Sequence, residues 1–400
     1  MELIAQRILN LSESETLAMT RRSRELTAQG IDVINLSIGE PDFNTPDHIK
    51  KAAIKAIHEN RTHYPPVPGF PELRKAICYK LKRDNNLEFT PEQIVVSTGA
   101  KHSIANAIIS LVNEEEEVIL PAPYWVSYKE MVKLASGVAV FVPTTVETDF
   151  KITPEQLEGA ITPKTKVILY SSPCNPTGSV YSRDELKALA EVIARHPNIF
   201  VISDEIYELI NYDCYHESIA QFDFIREQVI VVNGVSKGFA MTGWRLGYLA
   251  APLQVAKAVD KLQGQMTSAT CSISQYAAIE AMMTDPKKSH YIREMIFTFR
   301  KRRNKMLELL QTVPGLITNV PKGAFYFFPD VTHYFGKSNG DRTIKDACDL
   351  TNYLLDVGHV ALVPGDAFGN PDCIRISYAT SMELLIEAIE RIKRALADLQ

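Results

Sequence analysis

The chain has 400 residues, 46% of them hydrophobic and 23% charged, with a formal net charge of −5. This balance excludes a disordered or collagen-like chain, and a mildly acidic protein has no global pull toward nucleic acid or an anionic membrane. The length fits about two or three domains.

No run reaches the roughly 18 apolar residues of a membrane span. The N-terminal MELIAQRILNLSESE lacks the compact apolar core of a secretory signal. Six cysteines (Cys78, Cys174, Cys214, Cys271, Cys348 and Cys373) are scattered singly with no CxxC pair. That argues against a zinc site or a disulfide framework and fits a reducing cytoplasm.

In chain order, β-branched runs alternate with amphipathic stretches. Strands are predicted at IVVST (94–98), EVILP (117–121), VAVFVP (138–143), KVILYSS (166–172), IFVISDE (199–205), VIVVNGVS (229–236) and WRLGYLAAP (244–252). KHSIANAIISLV (101–112) and RDELKALAEVIARH (183–196) read as helices between them, and the acidic run Glu114–Glu117 as a solvated turn. Runs apolar throughout suit strands buried on both faces, so residues 46–290 are expected to form an α/β domain with a mostly parallel sheet between helices. The remainder predicts a smaller α+β domain. It has a long charged helix over 286–312, a strand in 323–331, a helix near 343–357, a strand pair within 359–377 and a last helix over 381–399. Residues 1–45 are expected to join residues 291–400 in that domain.

Four segments carry chemistry. In VSKGFAMTGWRLGY (235–248), Lys237 follows an apolar run, where a lysine is costly unless paired or covalently used, and lysine is the residue that forms Schiff bases with carbonyls. Arg245, eight residues on, suits phosphate. Asp204 in SDEIY (203–207) ends a predicted parallel strand, the place where ligands bind in such sheets, although an isolated aspartate there is more often a helix cap. SSPCNPTG (171–178) is a rigid turn that fixes Asn175, or a plain turn with no function. STGAKHS (97–103) opens a helix with small residues whose free N–H groups can bind phosphate. Neither GxxxxGK[ST] nor GxGxxG occurs, which counts against a P-loop and a Rossmann dinucleotide site.

The order and spacing of these segments resemble the fold-type I pyridoxal-phosphate aminotransferases, closest to the bacterial aspartate aminotransferase branch. The resemblance runs through LSIGEPDFNTP (36–46), HYPPVPGFPELRKAI (63–77), STGAKHS, PYWVSY (123–128), SSPCNPTG, SDEIYE, SKGFAMTGWRLGY, GAFY (323–326) and IRISYATS (374–381). Asn175 lies 29 residues before Asp204, which lies 33 before Lys237. The resemblance implies a large domain with a seven-stranded sheet and pyridoxal 5'-phosphate as cofactor. Lys237 would hold the cofactor through a Schiff base and move the proton. Asp204 would pair with the protonated pyridine nitrogen, which makes the ring an electron sink. Asn175 and Tyr207 would bond the phenolic oxygen, and Trp125 would stack on the ring. Gly99, Ala100, Ser236 and Arg245 would hold the phosphate, joined by Tyr64 from a neighbouring subunit, which implies a homodimer with shared sites.

For the substrate, the resemblance assigns the α-carboxylate to Arg375 and a close main-chain approach to Gly39. Lys101, with Thr16 and Ser14, matches the group that reads a distal carboxylate, so aspartate and 2-oxoglutarate are the expected pair. The plain alternative for Lys101 is a solvated residue in a first helical turn, where a cation opposes the dipole. Aromatic, alanine or methionine substrates are the rival expectation, and Ser12, where prephenate-accepting members carry lysine, weakens prephenate. Cys174 departs from the polar residue often found before Asn175, with nothing to suggest an activated thiol. A non-catalytic regulator built on the same fold is disfavoured, because the motifs begin by residue 36 and the chain is not basic.

Overall fold

The protein is represented by a computed structural model that describes residues 3–13, 15–213 and 215–400. Ser14 and Cys214, named above, lie outside the described residues.

Seven strands form the central sheet: β1 (Ile94–Ser97), β2 (Glu117–Ala122), β3 (Val138–Pro143), β4 (Thr165–Ser171), β5 (Phe200–Asp204), β6 (Val229–Gly234) and β7 (Gly247–Ala250). Their spatial order is β1-β7-β6-β5-β4-β2-β3. All neighbours run parallel except β7, which is antiparallel to both β1 and β6. The alternating faces of the strands explain why they read as unbroken apolar runs. Ile168 and Tyr170 of β4 enter one core with Val201 and Val231, whereas Val167 and Leu169 enter another with Ile202, Ile230 and Val232. Helices cover both faces: Leu186, Leu189 and Ile193 of the Arg183–Ile193 helix on the first, Ile104, Ala107 and Ile108 of the Ala100–Leu111 helix on the second. The Arg183 helix starts where a capping box dictates, with Glu185 N donating to Ser182 Oγ at 3.3 Å and Ser182 N donating to Glu185 Oε2 at 2.7 Å.

A further core joins Ile34 and Leu36 to residues from Met295 to Leu399. The two-residue strand Ile34–Asn35 pairs in parallel with Val360–Ala361. The long charged helix runs from His290 to Leu310, beginning later than 286 because Ser289 caps it, accepting from Ile292 N at 3.3 Å. The strand expected over 323–331 shortens to Tyr326–Phe327, and Asp330 makes only isolated bridges to Ile317 and Cys373. Glu117 is not part of a solvated turn. It opens β2, paired with Val138 and Thr165, and its carboxylate accepts from Thr165 Oγ1 at 3.2 Å. Among the described residues, no helix is long and apolar enough to cross a membrane.

Candidate active site

The parallel strands end on one side of the sheet, and the loops leaving those ends converge there. β2 leads to Trp125, β4 to Asn175, β5 ends on Asp204 and β6 leads to Lys237. Together with Thr16, Gly39, Ala100, Lys101, Tyr207, Ser236, Arg245 and Arg375, these side chains line one cavity of about 460 Å³. Gly99 lies against Arg245. Tyr64 is outside the lining and 95% exposed.

Lys237 sits at the cavity floor. Its amine donates to the Gly39 carbonyl and lies 5.5 Å from the Tyr207 ring centroid. Desolvation pushes the amine down to about 8, with Glu40 and Asp204 opposing the fall and Arg375 and Arg245 adding to it. An amine in this range is still mostly protonated at pH 7, but its free form is far more available than that of an ordinary lysine. The unfolded lysine binds its proton up to about pH 10.4 and the folded one only to about 8, so this group makes folding less favourable below pH 8, and the penalty fades between pH 8 and 10. Lys237→Met is therefore expected to flatten the rise in stability of the cofactor-free protein between pH 8 and 10, read by urea unfolding. An unchanged pH slope in the variant would contradict a desolvated amine.

Asp204 is 4% exposed at the end of β5. Its Oδ2 accepts from the Tyr128 hydroxyl at 2.7 Å and its Oδ1 from Ile206 N at 3.2 Å. No helix follows Asp204 for it to cap, contrary to the plain reading; the bond to Ile206 N closes a turn, and the carboxylate also lines the cavity. Burial raises the carboxyl to about 6, less than it would without Tyr128, Ile206 N and Lys237.

Arg375 in the strand Ile374–Ser377 is 2% exposed. One Nη donates to Asn175 Oδ1 at 3.1 Å and the other to the Ser37 carbonyl, while Nε has no partner. Its guanidinium lies 4.7 Å from the Tyr326 ring and 4.9 Å from the Phe368 ring. No carboxylate among the described residues pairs with it, and burial lowers its affinity for its proton. A buried guanidinium without an anion is costly, so an anion that entered the cavity beside it would be strongly stabilised. Gly39 permits the approach of the opposing chain: a Cβ at that position would meet Tyr326 Oη at 2.7 Å.

The loop after β4 is held rigidly. Cys174 N donates to Ser179 O at 2.9 Å, and Asn319 Nδ2 reaches Thr177 O, Ser179 Oγ and Asp149 Oδ1 at 3.2, 3.1 and 2.8 Å. Cys174 itself is buried, and burial pushes its thiol up, away from reactivity. The hydroxyl of Tyr207 meets that of Tyr326 at 2.8 Å.

At the other end of the cavity, the Ala100–Leu111 helix begins after Gly99, whose φ of +86° suits glycine and whose absent Cβ leaves room for Arg245 Nη2. Arg245 donates to Thr242 O at 2.8 Å and keeps exposed donors beside these free helical N–H groups. Such an arrangement of donors can bind an anion of the phosphate class. Lys101 Nζ lies 5.0 Å from the Trp125 ring centroid, and burial with the nearby Arg245 charge lowers its pKa. Across the cavity, the Glu15–Ala28 helix presents Thr16, Thr20 and Arg24, four residues apart and so on one face.

Residues 31–392 match the family Aminotransferase class I and II. The chain belongs to that family. It is 48% identical over 393 residues to the aspartate aminotransferase of Bacillus subtilis (strain 168), covering 98% of each chain. It is 44% identical over 409 residues to the aspartate/prephenate aminotransferase of Cereibacter sphaeroides, covering 100% of each. The crystal structure of the aspartate aminotransferase from Rhizobium meliloti superposes with a TM-score of 0.96 at 40% identity, covering 100% of both chains. This aminotransferase thus has the fold that its motifs imply.

Tyr128, Tyr326, Glu40 and Arg24 also line the cavity and have no assigned role in the sequence reading. Tyr128 and Tyr326 fall inside the quoted PYWVSY and GAFY motifs, so position within a motif was the available signal. For Arg24, the only signal was its place eight residues after Thr16 on a helix.

Proposed function

We propose that this aminotransferase uses pyridoxal 5'-phosphate to move an amino group between aspartate and 2-oxoglutarate by a ping-pong route, as a cytoplasmic homodimer. The observation that carries this reading is the buried, anion-free Arg375 facing a cavity that is also lined by Lys237, Asp204 and Lys101. The residues fit the cofactor on chemical grounds. A desolvated amine suits an aldehyde, a buried carboxylate suits a ring cation, and a helix N-terminus with Arg245 suits a phosphate. When bound, the cofactor supplies the aldehyde carbon and a protonated ring that stores the electron pair released at the substrate Cα.

The chain's own residues do the rest. Arg375 takes the α-carboxylate and fixes the Cα–H bond relative to Lys237. Lys237 Nζ accepts the Cα proton and would deliver it to the carbon that carried the cofactor's aldehyde. Asn175, already bonded to Arg375, and Tyr207 hold the ring side of the site. Lys101 and Thr16 receive the distal carboxylate. In support of the substrate, the Bacillus and Rhizobium relatives are named aspartate aminotransferases. The named activity of the Cereibacter relative favours prephenate as a second acceptor, and Ser12 opposes it. The exposed Tyr64 supports a site completed across a twofold interface, and we assign residues 46–290 to the cofactor domain and 1–45 with 291–400 to the smaller one.

The test is a panel of amino donors with 2-oxoglutarate, compared by kcat/KM. Lys101→Ala is expected to reduce kcat/KM about 10- to 100-fold for aspartate, the value of a hydrogen bond to a charged group, and only a few-fold for an aromatic donor. Equal losses for both would favour an aromatic or alanine aminotransferase.

A further inference from the structure

One buried hydroxyl has no place in that scheme. Tyr128 lies on the Ser127–Leu134 helix, is 1% exposed, and aims its hydroxyl at Asp204 Oδ2 across 2.7 Å. Trp125 is three residues earlier and stands edge-on to it, with ring centroids 5.5 Å apart and an interplanar angle of 86°. The turn that opens this helix, in which Tyr128 N donates to Trp125 O at 2.9 Å, therefore ties the residue expected against the cofactor face to the residue that grips the carboxylate expected at the ring nitrogen.

We propose that Tyr128 is a positioning residue for Asp204, holding its carboxylate ionised and oriented toward a protonated heteroaromatic ring nitrogen. The proposal rests on the cofactor reading above. Tyr128 occupies one lone pair of Oδ2 and Ile206 N occupies one of Oδ1, which fixes the carboxyl plane and leaves the remaining lone pairs open to the cavity. The donor is needed because burial favours the neutral acid, and a neutral acid cannot pair with a ring cation. The other groups facing Asp204 are Lys237 across the cavity, Glu205 next in the chain, and Tyr207 and Cys174 from the flanking loops. Lys237 favours the ionised form, and Glu205 opposes it. Burial holds the Tyr128 phenol far above its ordinary range, so it remains a donor at any working pH.

The experiment titrates cofactor-free wild type, Tyr128→Phe and the control Tyr181→Phe with pyridoxal 5'-phosphate from pH 5 to 9, following the visible absorbance of the bound cofactor. Wild-type affinity is expected to fall as pH drops through about 6, where Asp204 gains its proton. Tyr128→Phe is expected to have this midpoint moved up by about one pH unit, so that it binds only about 2-fold more weakly at pH 7 and about 10-fold more weakly at pH 5. In turnover it is expected to lower kcat with little change in KM for aspartate. Wild-type affinity and midpoint in Tyr128→Phe would overturn the proposal, and so would a weakening that is equal at every pH. Absence of binding by wild type would instead strike the cofactor reading. If Tyr128→Phe does not fold, 3-fluorotyrosine placed at position 128 keeps the ring and strengthens the donor. The midpoint is then expected to move down, and an unmoved midpoint overturns the proposal.

Discussion

Lys237→Ala is expected to abolish transamination, lowering kcat by at least about 10⁴-fold, because in the proposed scheme one side chain supplies both the covalent attachment and the proton transfer. The other cations lining the cavity are Lys101, whose amine lies 5.0 Å from the Trp125 ring centroid, and guanidiniums, which do not form Schiff bases. Two measurements check this. Turnover of aspartate with 2-oxoglutarate is compared for the two proteins, and each is reduced with borohydride in the presence of pyridoxal 5'-phosphate and weighed. Wild type is expected to gain one cofactor mass at the peptide containing Lys237, and the variant none. Wild-type turnover in Lys237→Ala would sink the assignment of the site.

Much of this site is legible in the chain because its residues sit where strands end. Asp204, Asn175, Trp125 and Lys237 each follow an apolar run whose periodicity announces a buried strand, and a parallel sheet brings such ends together. What the sequence hides are pairings across the fold. Tyr128 and Asp204 are 76 residues apart and Tyr207 and Tyr326 are 119 apart, and no local pattern links either pair. The buried Lys80–Glu208 ion pair, with side chains 5% and 6% exposed, is equally invisible, because each partner looks like an ordinary surface charge on its own segment. The exposure of β3 is a third case. VAVFVP reads like its neighbours, yet it closes the edge of the sheet and leaves Val138 and Phe141 exposed. The shortened strand at Tyr326–Phe327 has a related cause: its continuation makes only isolated bridges, so apolar composition alone overstated its length.

Arg375→Met is expected to separate binding from stability in a way that a structural arginine would not. In the cofactor-free, substrate-free protein, this guanidinium is a buried cation with hydrogen bonds to Asn175 and Ser37 but no counter-charge. Replacing a buried charge by an apolar side chain of similar length is commonly neutral or stabilising, so the unfolding temperature of the empty variant is expected to hold or rise. The substrate complex behaves oppositely. Truncating one partner of a buried, hydrogen-bonded charge pair costs about 2–5 kcal/mol, so kcat/KM for aspartate is expected to fall about 10²- to 10³-fold. The loss extends to every amino donor, because all carry the same α-carboxylate, whereas the loss in Lys101→Ala is confined to dicarboxylates. Differential scanning fluorimetry supplies an independent readout. A ligand at 100 times its Kd stabilises the folded protein by about 2.7 kcal/mol, so aspartate should raise the wild-type midpoint and leave that of Arg375→Met unmoved. If the empty variant is strongly destabilised while aspartate still stabilises it, Arg375 is a structural residue and the α-carboxylate must be received elsewhere.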